Sequence, residues 1–536
     1  MMENKILNTY LGQKGYTIPK NEISIENQKK IRNDLNIKPF IMGSPMGNNQ
    51  PTFPAYRESS NKMYVPHYYG VENFGPPKEY KISEGTNIDL DFSGSLRENQ
   101  HVVVNTYVKH VNNCGFGGGL LELPCAYGKT VLSLNIISRL KKKTFIIVHK
   151  EFLMNQWIER IQQFLPKARV GKIQGQIIDV DDKDIVIGML QSLSMKEYPA
   201  SIFESFGLTI IDEVHHISSE VFSNSLFKLV TKYMLGLSAT MNRKDGTTHV
   251  FKMFLGDVVF KGKRDEEHDV IVRGIEYKVN DDEFNEVKLD YRGKVAYSTM
   301  ISKLCEYNRR SEFILTVLFD MLQENPSQQI MILAHNKNIL KYLHDAILHR
   351  NMATVGYYIG GMKEQALKET EGKKIVIATY SMAAEALDIK TLTTLIMATP
   401  KTDIEQSVGR ILRDKHSNPI VVDIIDSHQT FKNQWKKRKT FYKKENYKII
   451  YTTSPQYSAD TAGWDVLFTP KPISSSDCNN FNVKKTVKKN MSVKSNSSTD
   501  KSITTDSDTE EPDESPEEQK DKQNRGKCLL TFKKSN

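Results

Sequence analysis

The sequence is poor in cysteine and has no long apolar run. Its five cysteines (Cys114, Cys125, Cys305, Cys478 and Cys528) are scattered, odd in number and never spaced as C-x-x-C. Neither a disulfide scaffold nor a zinc finger is expected, and a reducing compartment is the default. No window approaches the roughly 18 uninterrupted apolar residues of a membrane span, so no membrane partner is expected. The opening stretch MMENKILNTYLGQKGYT has no apolar core of the kind a secretory signal carries, which makes an intracellular location the expectation. A repeat of solenoid period is missing too. What remains is an ordinary globular composition: 536 residues, 39% hydrophobic and 26% charged, with 74 Lys+Arg against 64 Asp+Glu for a net charge of +10. That length accommodates about three or four domains. The mild basic excess is compatible with a polyanionic partner.

Three composition regimes follow one another. Residues 1–92 are rich in Asn, Lys, Pro and Tyr and carry turn signals such as Gly75-Pro76-Pro77, which reads as a small β-containing or irregular accessory module. From residue 93 to about 455, short apolar runs alternate with amphipathic stretches. The runs are Thr144–Val148, Asp184–Gly188, Leu208–Asp212, Tyr233–Leu237, Gln329–Leu333, Lys374–Ala378, Thr393–Ala398 and Pro419–Ile424. Their brevity and β-branched content predict buried parallel strands joined by helical crossovers, hence an α/β fold. The charged stretch Lys261–Asp269 splits them into two domains, 93–262 and 263–455. Residues 470–536 turn to Ser, Lys, Thr, Asp and Glu with little to bury, which predicts a disordered tail.

Four short segments suggest chemistry. In Leu123-Pro124-Cys125-Ala126-Tyr127-Gly128-Lys129-Thr130, a Gly-Lys-Thr precedes a helical run. Such a loop offers backbone N–H groups and a helix N-terminus to phosphates, with Lys129 on the outer phosphates and Thr130 beside Mg²⁺. Leu123 stands where the full pattern has Gly, so an ordinary turn is the competing reading. Thr209-Ile210-Ile211-Asp212-Glu213-Val214-His215 is an apolar run closing on paired carboxylates. Asp212 there suits Mg²⁺ and Glu213 suits activation of a water, unless the pair only caps the next helix. His215-His216 lacks a third neighbour for zinc. Leu237-Ser238-Ala239-Thr240 offers hydroxyls that relay hydrogen bonds, or merely a turn. Gln406-Ser407-Val408-Gly409-Arg410-Ile411-Leu412-Arg413 places Gln406, Arg410 and Arg413 on adjoining helical faces, suited to a γ-phosphate or to plain solvation.

In this order the segments resemble the superfamily 2 helicases and translocases, over about residues 95–450. Leu96-Arg97-Glu98-Asn99-Gln100 is similar to their adenine-reading Gln motif. Ile146–Lys150 with Gln156-Trp157, and Val186–Leu193, resemble the following motifs. Met331–His335 and Ala378–Asp388 resemble those of the second domain. Arg243-Lys244-Asp245-Gly246 after Ser-Ala-Thr, the DExH box, and Val65-Pro66-His67-Tyr68-Tyr69-Gly70 are most similar to the XPB-like branch, including the late-transcription helicases of poxviruses and other large DNA viruses. Arg-Lys-Asp stands where the eukaryotic relative has Arg-Glu-Asp, and Ala386 replaces a usual Gly.

The resemblance implies two tandem RecA-like domains with ATP between them. Gln100, Gly128, Lys129, Thr130 and Asp388 would bind nucleotide, and Thr130 and Asp212 would hold Mg²⁺. Glu213, Gln406, Arg410 and Arg413 would join Lys129 and Asp212 in catalysis. It also implies a nucleic-acid partner, DNA ahead of RNA, a role in viral transcription with RNA polymerase or transcription factors nearby, and a cytoplasmic replication site. The competing readings are an RNA helicase and a non-catalytic scaffold on the same fold. Lastly, Lys432 to Lys448 interleaves lysines with Trp435, Phe441, Tyr442 and Tyr447. Those aromatics either stack on bases or pack inward on the second domain.

Overall fold

A computed structural model describes residues 8–40, 52–124, 127–216, 219–241, 243, 245–262, 269–385, 389–412, 416 and 418–471. The chain divides into two compact units, Met1–Glu267 and His268–Asn536. The expected disordered tail lies outside the described residues from 472 onward.

In the first unit, apolar runs of four to six residues form a central parallel sheet. In spatial order its strands are Ile177–Ile178, Val170–Gln174, Ile185–Met189, Thr144–Val148, Leu208–Ile211, Tyr233–Ser238, Gly117–Glu122 and Val258–Lys261. Only the edge pair Ile177–Ile178 with Val170–Gln174 is antiparallel. Successive strand residues point to opposite faces, so both faces are apolar and both are covered. Leu121, Ile146, Val148, Ile210 and Leu235 pack with residues of the helices Glu98–Cys114, Lys129–Leu140 and Glu151–Phe164. Leu120, Phe145, Ile147, Ile211 and Met234 face the other way, with residues of Leu190–Met195, Ser219–Leu226 and Thr248–Leu255.

The N-terminal residues add a five-stranded sheet, ordered Arg57–Glu58, Lys62–Val65, Gly15–Pro19, Tyr10–Gly12, Glu79–Tyr80. Its Tyr16, Ile18, Met63 and Val65 belong to the same core as Phe227 and Phe254. The helix His67–Phe74 packs on Thr248–Leu255. Gly70 lies flat on the Tyr16 ring, where a Cβ would stand 2.2 Å from it. The Tyr68 hydroxyl donates to the Gly118 carbonyl at 3.1 Å, which ties this helix to the strand that leads into the phosphate-type loop.

The second unit repeats the plan. Its strands are ordered Val355–Tyr358, Ile375–Thr379, Gln329–Ala334, Leu392–Met397, Ile420–Asp426, Ile271–Tyr277, Lys448–Thr453 and Asp465–Phe468, all parallel but for the last pair. Two buried bidentate pairs pin the helices to this sheet: Arg310 on Asp426 at 2.6 and 2.8 Å, and Arg438 on Asp423 at 2.7 and 2.8 Å. Both fold units are therefore α/β with parallel sheets. Among the described residues no helix is long and apolar enough to cross a membrane.

Candidate active site

Parallel strands all expose their carboxyl ends on one edge, and in such sheets that edge is where ligands bind. In the first unit, Glu122, Val148, Met189, Ile211 and Ser238 end neighbouring strands there; Ser238 is in register with Glu122, and Met189 with Val148. The segments Leu123–Thr130, Asp212–His215 and Ala239-Thr240 follow three of these ends, whereas Leu96–Gln100 leads into the helix Glu98–Cys114.

After Glu122 the chain turns through Leu123 and Pro124, and through Cys125 and Ala126, which lie outside the described residues, to Tyr127 and Gly128. The helix Lys129–Leu140 begins at Gly128, whose φ of 84° is left-handed. A Cβ there would stand 2.3 Å from Gln100 Nε2, so both conformation and space require glycine. Gln100 is buried and its amide is engaged on both sides: Nε2 donates to the Tyr127 carbonyl at 2.8 Å and Oε1 accepts from Arg97 N at 3.0 Å. Arg97 Nη2 donates to the same Tyr127 carbonyl at 2.7 Å. The Gln motif thus braces the loop from behind. Thr130 is half-buried in the first helical turn.

Lys129 Nζ donates to Glu213 Oε1 at 2.5 Å. Glu213 has a φ of 49°, a left-handed conformation that costs a branched or long side chain energy and recurs at active sites. That backbone aims its carboxylate at the lysine, while Asp212 faces inward. Asp212 Oδ2 accepts from Trp157 Nε1 at 2.9 Å. Burial and the adjacent Glu213 raise the Asp212 carboxyl above its ordinary range, against the pull of Lys129 and of the Trp157 bond. A buried carboxylate whose charge is this costly favours a cation nearby. With Thr130 it matches the sparse protein ligation of Mg²⁺, which takes most of its ligands from phosphate and water.

Ser238 Oγ lies 2.7 Å from His215 Nδ1, which is itself 3.4 Å from Glu213 Oε2. The Ser-Ala-Thr strand end is therefore linked to the acidic pair through His215. Arg243 adds a clamp: it pairs with Asp245 and donates Nη1 to the His215 carbonyl at 2.7 Å. Against the cost of burial, bonds from Arg243 and Thr247 hold the Asp245 carboxyl down at about 2. Among the described residues no group of three His, Cys, Asp or Glu could hold a metal ion by itself.

In the second unit, Gln406 lies in the one-turn helix Glu405–Val408 and Arg410 in the 3-10 turn Gly409–Leu412. Arg410 is only 7% exposed, so the solvated-face reading does not describe it. Arg413 and Asp388 lie outside the described residues. In the helix Gln429–Lys444, Trp435 and Tyr442 are buried, as is Tyr447 just beyond it. The base-stacking reading therefore fails for these three rings. Sequence reasoning placed Trp157 in a motif but missed its bond to Asp212. It also passed over the Arg243–Asp245 clamp on the DExH backbone.

The domain family described as "Type III restriction enzyme, res subunit" matches residues 93–243, which hold Gln100, Lys129, Asp212 and Glu213. The "Helicase conserved C-terminal domain" matches residues 313–415, which hold Gln406, Arg410 and Arg413. A protein of Acanthamoeba polyphaga mimivirus, named as an ATP-dependent RNA helicase, is 37% identical over 467 residues, 84% of this chain and 87% of its own. A helicase-named protein of Invertebrate iridescent virus 6 is 25% identical over 68% of this chain and 85% of its own. A protein of African swine fever virus, again named as an ATP-dependent RNA helicase, is 28% identical over 65% of this chain and 73% of its own. Two helicase domains in tandem, and a relative this similar along most of both chains, place this chain in the superfamily 2 helicases, with relatives in large DNA viruses, as a nucleic-acid-dependent ATPase.

Proposed function

We propose that this ATPase is a DNA helicase or translocase serving viral transcription, in elongation or transcript release, near RNA polymerase or its factors. The observation that carries the chemistry is the Lys129–Glu213 contact at 2.5 Å, with Asp212 buried directly behind it. One basic and two acidic groups, brought together from strand ends on either side of Tyr233–Ser238, suit ATP hydrolysis. Lys129, Gly128 and the helix N-terminus bind phosphates. Glu213 is freed from Lys129 when phosphate takes the lysine, and then orients and deprotonates the attacking water. Asp212 and Thr130 hold Mg²⁺, which neutralises phosphate charge when bound. Gln406, Arg410 and Arg413 are the second domain's contribution to turnover, Asp388 adds a nucleotide contact, and Gln100 sets the loop's shape and the base preference.

The preference for DNA rests on the likeness of Arg243-Lys244-Asp245-Gly246 and the DExH box to the XPB-like branch. The names of the mimivirus and African swine fever virus relatives favour RNA instead. ATP turnover measured with single-stranded DNA, duplex DNA and RNA separates the two. Stimulation by DNA above RNA is expected, and Lys129→Ala in a folded protein should abolish it. Stimulation by RNA alone overturns the DNA reading, and turnover that survives Lys129→Ala overturns the phosphate loop.

A further inference from the structure

The helix Gln429–Lys444 has two faces of opposite chemistry. Phe431, Trp435, Arg438 and Tyr442, spaced four, three and four residues apart, are buried. The bidentate bonds of Arg438 to Asp423 fix the rotation of the helix about its axis. The opposite face carries Lys436, Lys437, Lys443 and Lys444, all exposed, with Lys439 half-exposed between them. Lysines seven residues apart stack along the helix, so these form two parallel rows. Among the described residues no carboxylate pairs with Lys436, Lys439, Lys443 or Lys444, whereas Lys432 at the start of the helix is paired with Glu276 at 2.9 Å.

The chain itself carries the countercharge. Past the helix it forms two strands and returns to the helix end, where Asn446 Nδ2 donates to Lys471 O at 3.0 Å and Lys471 N donates to Asn446 Oδ1 at 2.9 Å. The remaining sequence therefore starts beside the last turn of the lysine face. It includes residues 506–518, DSDTEEPDESPEE, with eight carboxylates and no Lys or Arg. The roughly 35 residues between Lys471 and Asp506 have chain length well beyond the roughly 24 Å length of the helix.

We infer that residues 506–518 dock on the lysine face of Gln429–Lys444 as an intramolecular electrostatic cover. Each exposed Lys–carboxylate pair is weak on its own. Tethering supplies an effective concentration on the order of millimolar, so several weak pairs together suffice. The contact is screened by salt. Nucleic-acid phosphates compete for the same lysines, so the acidic segment lowers nucleic-acid affinity at low salt. That competition rests on the helicase reading, whereas the docking does not.

The test is zero-length carbodiimide crosslinking of the full chain, which joins a carboxylate to an amine only in direct contact, mapped by mass spectrometry. Crosslinks from residues 506–518 to Lys436, Lys439, Lys443 and Lys444 are expected at about 50 mM salt and should vanish at about 500 mM, where the Debye length is a few ångströms. Links only to the tail's own lysines, such as Lys494 and Lys501, or spread evenly over all surface lysines, would overturn the docking. A second variant exchanges the eight carboxylates for Asn and Gln. Its affinity for single-stranded DNA should rise about fivefold or more at low salt and match the parent at high salt. The same exchange should have no effect in a Lys436→Ser, Lys437→Ser, Lys443→Ser, Lys444→Ser background. Crosslinks without any change in DNA affinity would overturn the competition while the docking stands.

Discussion

Trp157 Nε1 and Asp212 Oδ2 are joined by a buried hydrogen bond of 2.9 Å, with the indole 1% exposed. The bond spans two elements, the helix Glu151–Phe164 and the strand end after Ile211. As a neutral donor the indole favours the charged form of a carboxyl which burial and Glu213 drive toward the neutral form.

Trp157→Phe should therefore lower ATP turnover by about tenfold, the worth of one hydrogen bond to a charged group. It should also raise the Asp212 pKa further and move the acid limb of the pH–rate profile upward. A loss of turnover with an unmoved acid limb would mean that Trp157 acts only through packing. Melting temperature measured on the same variant reports the packing loss separately.

Gly128→Ala tests the brace behind the loop. The new methyl meets Gln100 Nε2 at 2.3 Å, and the residue must also hold a φ of 84°, which costs roughly 1–2 kcal/mol. ATP KM should rise by about tenfold or more. Adding Gln100→Ala removes the clash but not the strain, so partial recovery of KM is expected from the double variant. Full recovery would assign the whole effect to the clash, and none would assign it to φ.

Much of this arrangement is legible in sequence because burial on both faces of a parallel sheet leaves uninterrupted apolar runs. TFIIV is Thr144–Val148 in the structure, and each of the eight runs singled out overlaps a strand. The strand Gly117–Glu122, which carries the phosphate-type loop, is hidden because it opens on three glycines that read as a turn. The space explains them: a Cβ on Gly118 would stand 2.6 Å from the Met234 carbonyl, and one on Gly119 2.1 Å from Val259 Cγ2. Sequence shows which residue types follow which strand, but not partners brought in from other elements. Trp157 lies 55 positions from Asp212 and has no spacing rule that pairs them.

Arg410 is the next test, because burial has removed its bland reading. An arginine only 7% exposed is not part of a solvated ridge. Arg410→Lys should leave nucleotide affinity close to parental yet lower turnover by about 10³-fold, since a point charge cannot replace the planar fork. Arg410→Ala should lower it at least as far. Near-parental turnover in Arg410→Lys would remove this residue from the chemistry. Because the side chain is buried, circular dichroism of both variants must match the parent before turnover is compared.

Asp212→Asn should separate stability from function. The folded chain binds the Asp212 proton more tightly than the unfolded chain, because burial and Glu213 raise its pKa. The contribution of this group to stability is thus greatest at low pH and is lost as pH rises from the ordinary carboxylate range through the raised folded value. Asparagine has nearly the same shape, keeps an oxygen for Trp157 Nε1 and carries no charge. The variant should melt above the parent at pH 7, by about 2–4 °C for each kcal/mol relieved in a domain of this size. The difference should shrink as pH falls through the raised folded value, below which the parental carboxyl is itself protonated. ATP turnover should fall by about 10²-fold or more, because the charge that destabilises the fold is the charge used in hydrolysis. A variant that melts below the parent at pH 7 would show that the Asp212 charge is held at no cost, and the cation-favouring character assigned to this strand end would go with it.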